Sequence, residues 1–285
     1  MFRFLGRSVF LATLLLTAVS VAGVSSLAQK TDKVKSKDSS LACRDDQRWH
    51  NDRLAGVCEI REQTLAPSGG TIAIDGRQNG GVSVKGWDKN EVFVRARVQA
   101  SAPTEAEAGQ LAQQIRIETG GSKIFASGPE NRRDYNWNVS YEVFVPRRAD
   151  LSVETHNGGI SIADVNGKID FTALNGGVTL KRIGGMVRGS TTNGGLNIEL
   201  AGDRWDGDSL DVSTTNGGVM MSVPENYSAH LQTGTVNGGI NVDFPVTVQG
   251  QITKALNVDL GGGGPMVKAF TTNGGVHVRR ATANE

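Results

Sequence analysis

The chain has 285 residues, 38% of them hydrophobic and 21% charged, with a formal net charge of +1 at pH 7. So balanced a charge excludes the bulk electrostatic attraction that nucleic acid or an anionic membrane surface requires. The length and apolar content suffice for one elongated domain or two small ones.

Residues 1–28 read as a secretory signal peptide. Arg3 and Arg7 precede an apolar run over 9–24, and Ser26-Leu27-Ala28 place small residues at −3 and −1 of a cut after Ala28. The other reading is an uncleaved anchor, because the run is about as long as the shorter membrane-spanning helices. Cleavage would take the net charge to about −1. Residues 29–63 follow as a polar linker and a segment closed by a disulfide between Cys43 and Cys58. An exported chain meets oxidising conditions, and a loop of this length is worth on the order of 3 kcal/mol. Cys43 is too far from the apolar run for lipid attachment. Free thiols fit export poorly, and His50 between the cysteines does not complete a four-ligand zinc site.

Residues 64–148 read as an antiparallel β-rich module with one short helix. Alternating segments surround Val82, Val92–Val98 and Val139–Val145. Pro103-Thr104-Glu105 opens a helix whose apolar face carries Leu111, Ala112 and Ile115.

Residues 149–285 carry repeats. The triplet Asn-Gly-Gly occurs seven times, at Asn79, Asn157, Asn175, Asn193, Asn216, Asn237 and Asn273. Each triplet is followed by an i, i+2 apolar pair, as in Ile160/Ile162, Val178/Leu180 and Leu196/Ile198, which faces one side of a strand. Asn and Gly tolerate positive φ, so each triplet is expected to reverse the chain: Asn157-Gly158, Asn175-Gly176, Asn193-Gly194, Asn216-Gly217, Asn237-Gly238 and Asn273-Gly274 are the structural turns. Asn157, Asn175 and Asn193 are 18 residues apart, with further glycine turns at the half-period, Asn166-Gly167 and Gly184-Gly185. The expected fold is all-β: a right-handed parallel β-solenoid with two strands per coil of about 18 residues. Larger spacings are read as insertions at turns, and the one from Asn237 to Asn273 as two coils with one turn unmarked. Stacked coils would bring Asn157, Asn175, Asn193 and Asn216 into an amide ladder. The β-rich module is expected to cap one end of the stack, and the bend at 261–265 with Arg279-Arg280 to blunt the other.

With these residues in view, the chain resembles the putative-adhesin family of bacterial envelope proteins, long catalogued as a domain of unknown function. The carrying segments are 82–88 (Val-Ser-Val-Lys-Gly-Trp-Asp), 141–146 (Tyr-Glu-Val-Phe-Val-Pro) and repeats such as 151–159, within about 64–280. The resemblance implies an exported β-helical scaffold with an attachment role and carries over no catalytic residue.

No chemical motif competes. There is no Gly-x-Ser-x-Gly elbow, no phosphate-binding loop and no His-Glu-x-x-His. His50, His156, His230 and His277 are scattered and read as lone surface histidines. Asp203, Asp206, Asp208 and Asp211 cluster in the longest insertion without the regular calcium-loop spacing. No catalytic, cofactor or metal residues are therefore assigned. The expected function is a non-catalytic adhesin-like scaffold that binds polysaccharide or an envelope or surface protein through its repeat face, with Trp205 as the tentative ligand contact. Two rivals stay open. One is a polysaccharide-acting enzyme, favoured if Asp203, Asp206 and Asp208 converge in a cleft with a basic residue. The other is a periplasmic structural or sensing module.

Overall fold

The computed structural model describes residues 41–43, 53–67, 69–246 and 254–281. The signal segment 1–28, nearly all of the linker, and His50 lie outside the described residues. Cys43 and Cys58 are joined by a disulfide, as expected.

The chain runs through β1 (Ala55–Leu65), β2 (Ile72–Asp75), β3 (Val82–Trp87) and β4 (Val92–Ala102) to helix α1 (Glu105–Gln114). It continues through β5 (Arg116–Glu118), β6 (Lys123–Ser127), β7 (Asn136–Pro146), β8 (Leu151–Thr155), β9 (Ile160–Ala163) and β10 (Asn166–Ala173). Next come β11 (Val178–Lys181), β12 (Gly184–Asn193), β13 (Leu196–Glu199), β14 (Ser209–Asn216) and β15 (Val219–Val223). The last are β16 (Ala229–Asn237), β17 (Ile240–Val242), β18 (Ala255–Leu260), β19 (Met266–Asn273) and β20 (Val276–Arg280).

These strands form two ten-stranded mixed sheets. Sheet A has the order β1-β4-β7-β3-β9-β11-β13-β15-β20-β17, and sheet B the order β18-β16-β19-β14-β12-β10-β8-β2-β6-β5. The chain is thus all-β apart from α1. Each repeat contributes one strand to each sheet, and successive repeats pair in parallel and in register: Val178 lies beside Ile160 and Leu196, and Ile169 beside Leu151 and Val187. The inward residues of both sheets merge into one apolar core.

Within 64–148, antiparallel pairing holds for β1–β4–β7 and for β5–β6. β2 and β3 instead pair in parallel with β8 and β9, so the sheets run unbroken across residue 149. The reason is local. Asn79-Gly80-Gly81 with Val82 and Val84 is the same turn-and-strand unit as the later repeats. Helix α1 opens with a capping box between Thr104 and Glu107 and buries Ala108, Leu111 and Ala112. It has no basic residue in its last turn. Arg61 of β1 supplies one, donating to the carbonyl oxygens of Ala112 (2.8 Å) and Ile115 at the negative end of the helix.

The triplets do not work through positive φ. Gly274 has φ +159°, nearly extended, and no other triplet residue has positive φ. Close approach is what demands glycine. A Cβ on Gly176 would lie 2.1 Å from the carbonyl oxygen of Gly158, one on Gly194 2.2 Å from that of Gly176, and one on Gly217 2.2 Å from that of Gly194. From Gly158 onward, the first glycine of each turn therefore rests directly on the backbone of a neighbouring turn, while Gly80 rests on the Val139 carbonyl of β7. The second has room: a Cβ on Gly177 would sit 3.5 Å from the nearest atom.

The asparagines form the expected ladder, and it is longer than expected. Six side-chain amide bonds of 2.7–3.1 Å link Asn79, Asn157, Asn175, Asn193, Asn216, Asn273 and Asn237, in that order. Two residues before each of four of these asparagines, a buried threonine hydroxyl (Thr191, Thr214, Thr271, Thr235) donates to the first-glycine carbonyl of a neighbouring turn at 2.6–2.7 Å. Polar groups at the rim of the core are thus satisfied by the repeat itself.

The ladder order exposes one departure from a sequential stack. β19 and β20 slot between the layer of β14 and β15 and the layer of β16 and β17. Residues 255–260 are not an unmarked coil. They form β18, antiparallel to β16 at the edge of sheet B. The bend at 261–265 joins β18 to β19, and Arg279 and Arg280 sit on a strand flanked on both sides, so neither blunts the far end. The three-residue β17 and the antiparallel β18 do so instead.

At the opposite edge a second glycine column stacks Gly167, Gly185 and Gly207. There Arg182 bonds both Asp164 (2.8 Å) and Glu199 (2.9 Å), tying three layers together. The Arg182 guanidinium holds the Asp164 carboxyl below its ordinary value of 3.8.

Two outcomes are expected. Gly176→Ala should lower unfolding free energy by about 1–3 kcal/mol through forced backbone displacement, while Gly177→Ala stays near wild type, both read by denaturant melts. Because the Asp164 pKa is depressed on folding, its contribution is present above the unfolded value and lost as pH falls through the folded one. Arg182→Met should therefore cost roughly 1 kcal/mol or less at pH 7 and progressively less as the pH is lowered below 4, measured as the difference in midpoint from wild type.

Candidate functional site

Alternation along the sheet A strands sends one residue of each pair inward and the next outward. The outward residues directly after the turns therefore stand in one column. Thr179 lies between Ser161 and Asn197, Asn197 beside Met220, Met220 beside His277, and His277 beside Asn241. Next to this column the second glycines, which carry no side chain, leave a bare backbone shelf. Shelf and column together form an open groove of about 890 Å³, lined by Gly177, Gly195, Gly218, Gly275 and Gly239 on one side and by Thr179, Asn197, Met220, His277 and Asn241 on the other. It crosses five adjacent strands, about 19 Å at the usual spacing.

The groove carries no paired carboxylates. Its polar groups are a hydroxyl, two amides and an imidazole, and Met220 is an exposed apolar patch at 43%. At the far end His277 Nε2 meets Asp243 Oδ2 at 2.5 Å, and Asp243 also accepts from Asn241 at 2.8 Å. Toward β3 the same column changes character. Beyond Ser161 and Ser83 it reaches Arg95, bonded to Glu62 (2.8 Å) and Glu142 (2.7 Å). A neutral stretch able to hydrogen-bond thus ends in a closed ion cluster. Ser161, Thr179, Asn197 and Asn241 are recognisable from sequence as a polar face. Met220 follows Asn197 in the ordinary order of the repeats, whereas His277 joins the column only because β20 is inserted between β15 and β17.

Trp205 is not available as a ligand contact. It is 2% exposed, and its indole N–H donates to the Gly185 carbonyl at 3.0 Å, so the longest insertion folds inward and plugs the core at the second glycine column. The aspartates of that insertion do not converge as a set. Asp206 accepts from Asn166 (2.6 Å), Asp211 pairs with Lys268 (3.2 Å), and Asp203 lies beside Arg204. Asp203 and Asp206 do line a depression of about 740 Å³ with Arg147, Arg148, Arg182 and Arg204, but Asp208 does not. Among the described residues no group of three or more potential metal-ligating side chains comes together. His156 and His230 lie away from the groove, His230 against Asp259 at 2.7 Å.

No family model matches the chain. No curated protein matches it significantly. It is similar to three solved structures among others. One is a putative cell adhesion protein from Clostridium sporogenes, with a TM-score of 0.45 and 10% identity over 79% of this chain and 100% of that one. A second is a putative lipid binding protein from Parabacteroides distasonis, with a TM-score of 0.35 and 9% identity over 79% and 97%. The third is a putative adhesin from Bacteroides fragilis, with a TM-score of 0.29 and 11% identity over 79% and 97%.

Since Trp205 is a core residue, Trp205→Ala should destabilise the fold by about 3–5 kcal/mol, seen as a lowered denaturant midpoint. A surface contact would leave the midpoint unchanged.

Proposed function

We propose that this chain is an exported, non-catalytic attachment protein of adhesin type that holds a neutral polysaccharide along the groove of sheet A. In this reading the two sheets wind as a right-handed parallel β-solenoid, and the repeat supplies an extended binding face instead of a reaction centre. The observation that carries it is the groove itself: a bare glycine shelf beside Thr179, Asn197, Met220, His277 and Asn241, continuous over five strands and open to solvent. Hydroxyl, amide and imidazole groups beside an apolar strip match the alternating hydroxyls and CH faces of a sugar chain. The Cys43–Cys58 disulfide supports export to an oxidising compartment, whether periplasm, cell surface or medium.

One observation favours a second reading. Asp203 and Asp206 share their depression with four arginines, a mixture of acidic and basic groups that polysaccharide cleavage can use.

Both readings are tested by incubating the purified protein with envelope and host polysaccharides and recording retention together with new reducing or unsaturated ends. Retention without new ends, lost about tenfold or more in Met220→Arg, is expected. New ends that disappear in Arg182→Met would replace binding by cleavage. Capture of a surface protein with no glycan retained would transfer the groove to a protein partner. Protease accessibility on intact cells separates surface display from a periplasmic role.

A further inference from the structure

The asparagine ladder stops at Asn79, and among the described residues no further stacked turn lies beyond it. β6 and β7 are joined by residues 128–135, and where that segment passes the first turn a cavity of about 520 Å³ opens, within the range of small-molecule sites. Its walls are the turn at 76–79, the end of β6 and the start of β7. It is separate from the groove and shares no residue with it.

The wall is built in advance of any ligand. The Trp137 indole N–H donates to the Pro129 carbonyl (2.6 Å), the Trp137 backbone N–H donates to Asn131 Oδ1 (2.8 Å), and Asn131 Nδ2 donates back to the Trp137 carbonyl (3.1 Å). These bonds hold the half-buried indole as a fixed apolar panel. Gly128 lies against it, where a Cβ would come within 3.1 Å of the ring.

Much of the remaining lining is polar. Asn79 accepts from Asn157 through its carbonyl oxygen, and as head of the ladder its NH2 meets no acceptor among the described residues. Strand alternation sends the Asn138 side chain to the other face of the sheet, and the Glu130 carboxylate stands exposed at the rim. At the floor Tyr141 is 1% exposed, and its hydroxyl has no partner. A buried hydroxyl left unpaired is destabilising, and a ligand reaching the floor would relieve that cost. Charge does not select an anion here. Arg77, the one cation of the lining, is paired with Asp75 (3.5 Å) and stacked on the Phe125 ring (4.8 Å), and Glu130 repels negative charge.

We infer that this cavity binds one neutral sugar unit, a hexose or N-acetylhexosamine, with its CH face on Trp137 and its hydroxyls on Asn79 and Tyr141. The site is independent of the groove, and either can fail without the other.

The test is a titration of the purified protein with glucose, galactose, mannose, N-acetylglucosamine and N-acetylgalactosamine, and with glucuronate and inorganic phosphate, each up to about 10 mM, the weak end of specific binding. Binding is followed by calorimetry and by saturation transfer from protein to sugar protons. At least one neutral sugar is expected to bind, with affinity about tenfold or more weaker in Trp137→Leu or Tyr141→Phe and unchanged in the groove variant Met220→Arg. Tyr141→Phe should melt no lower than wild type in the absence of sugar, because it deletes only an unpaired hydroxyl; this separates lost binding from lost fold. Absence of binding by every neutral sugar, preference for glucuronate or phosphate, or equal affinity in both cavity variants overturns the inference. Loss in Met220→Arg together with equal affinity in the cavity variants assigns the sugar to the groove and also overturns it.

Discussion

Everything in this molecule is stacked at the distance set by one backbone resting on another. Parallel strands lie about 4.8 Å apart, and the turns that join them must keep that spacing or the strands splay. At the first glycine of the triplets from Gly158 onward the neighbouring turn is so near that a Cβ would overlap a carbonyl oxygen. The asparagine beside it bonds its counterpart in the adjacent layer, and a threonine hydroxyl closes onto the glycine carbonyl. Three side-chain choices thus serve one purpose, holding a bend at strand spacing with the turn's own polar groups bonded from layer to layer.

That constraint also shapes the surface. A position that must be glycine for packing leaves nothing to protrude, and the second glycine, though under less pressure, extends the bare strip outward. Those second glycines form the shelf of the groove, and the column beside it is free to vary because its residues point away from the core. The same logic accounts for the end cavity. Where the stacked turns stop at Asn79, the surface is no longer sealed layer on layer, and a connecting segment with its own hydrogen bonds frames an opening.

Much of this was legible in the residues. Repetition of the triplet, the inward pairs and the 18-residue spacing identify the strands and their register, and the amide ladder follows from stacking them. Three things were not legible. Glycine's role looked like a matter of dihedral freedom, because a sequence shows composition and not the distance to the next layer. Trp205 looked like a surface aromatic, because an insertion gives no sign of whether it folds in or out. The place of residues 255–280 was hidden because a strand of alternating pattern fits a parallel coil and an antiparallel edge equally well. The groove inherits that last error, since His277 borders Met220 and Asn241 only through the interleaved order.

The interleaving has a consequence for how the chain is completed. Synthesis proceeds from the N-terminus, and nearly all the stack can assemble as it appears, each layer on the one before. The far end cannot. β16 and β17 are made early, but the layer on which they rest is made last, and Asn273 must reach back 57 residues to meet Asn216. Contacts of such long sequence separation close slowly. The segment from Met266 to Arg280 is thus a keystone: until it is seated, β14 and β15 present open edges and the two strands beyond them have no footing. The far end of the stack is therefore finished all at once or not at all.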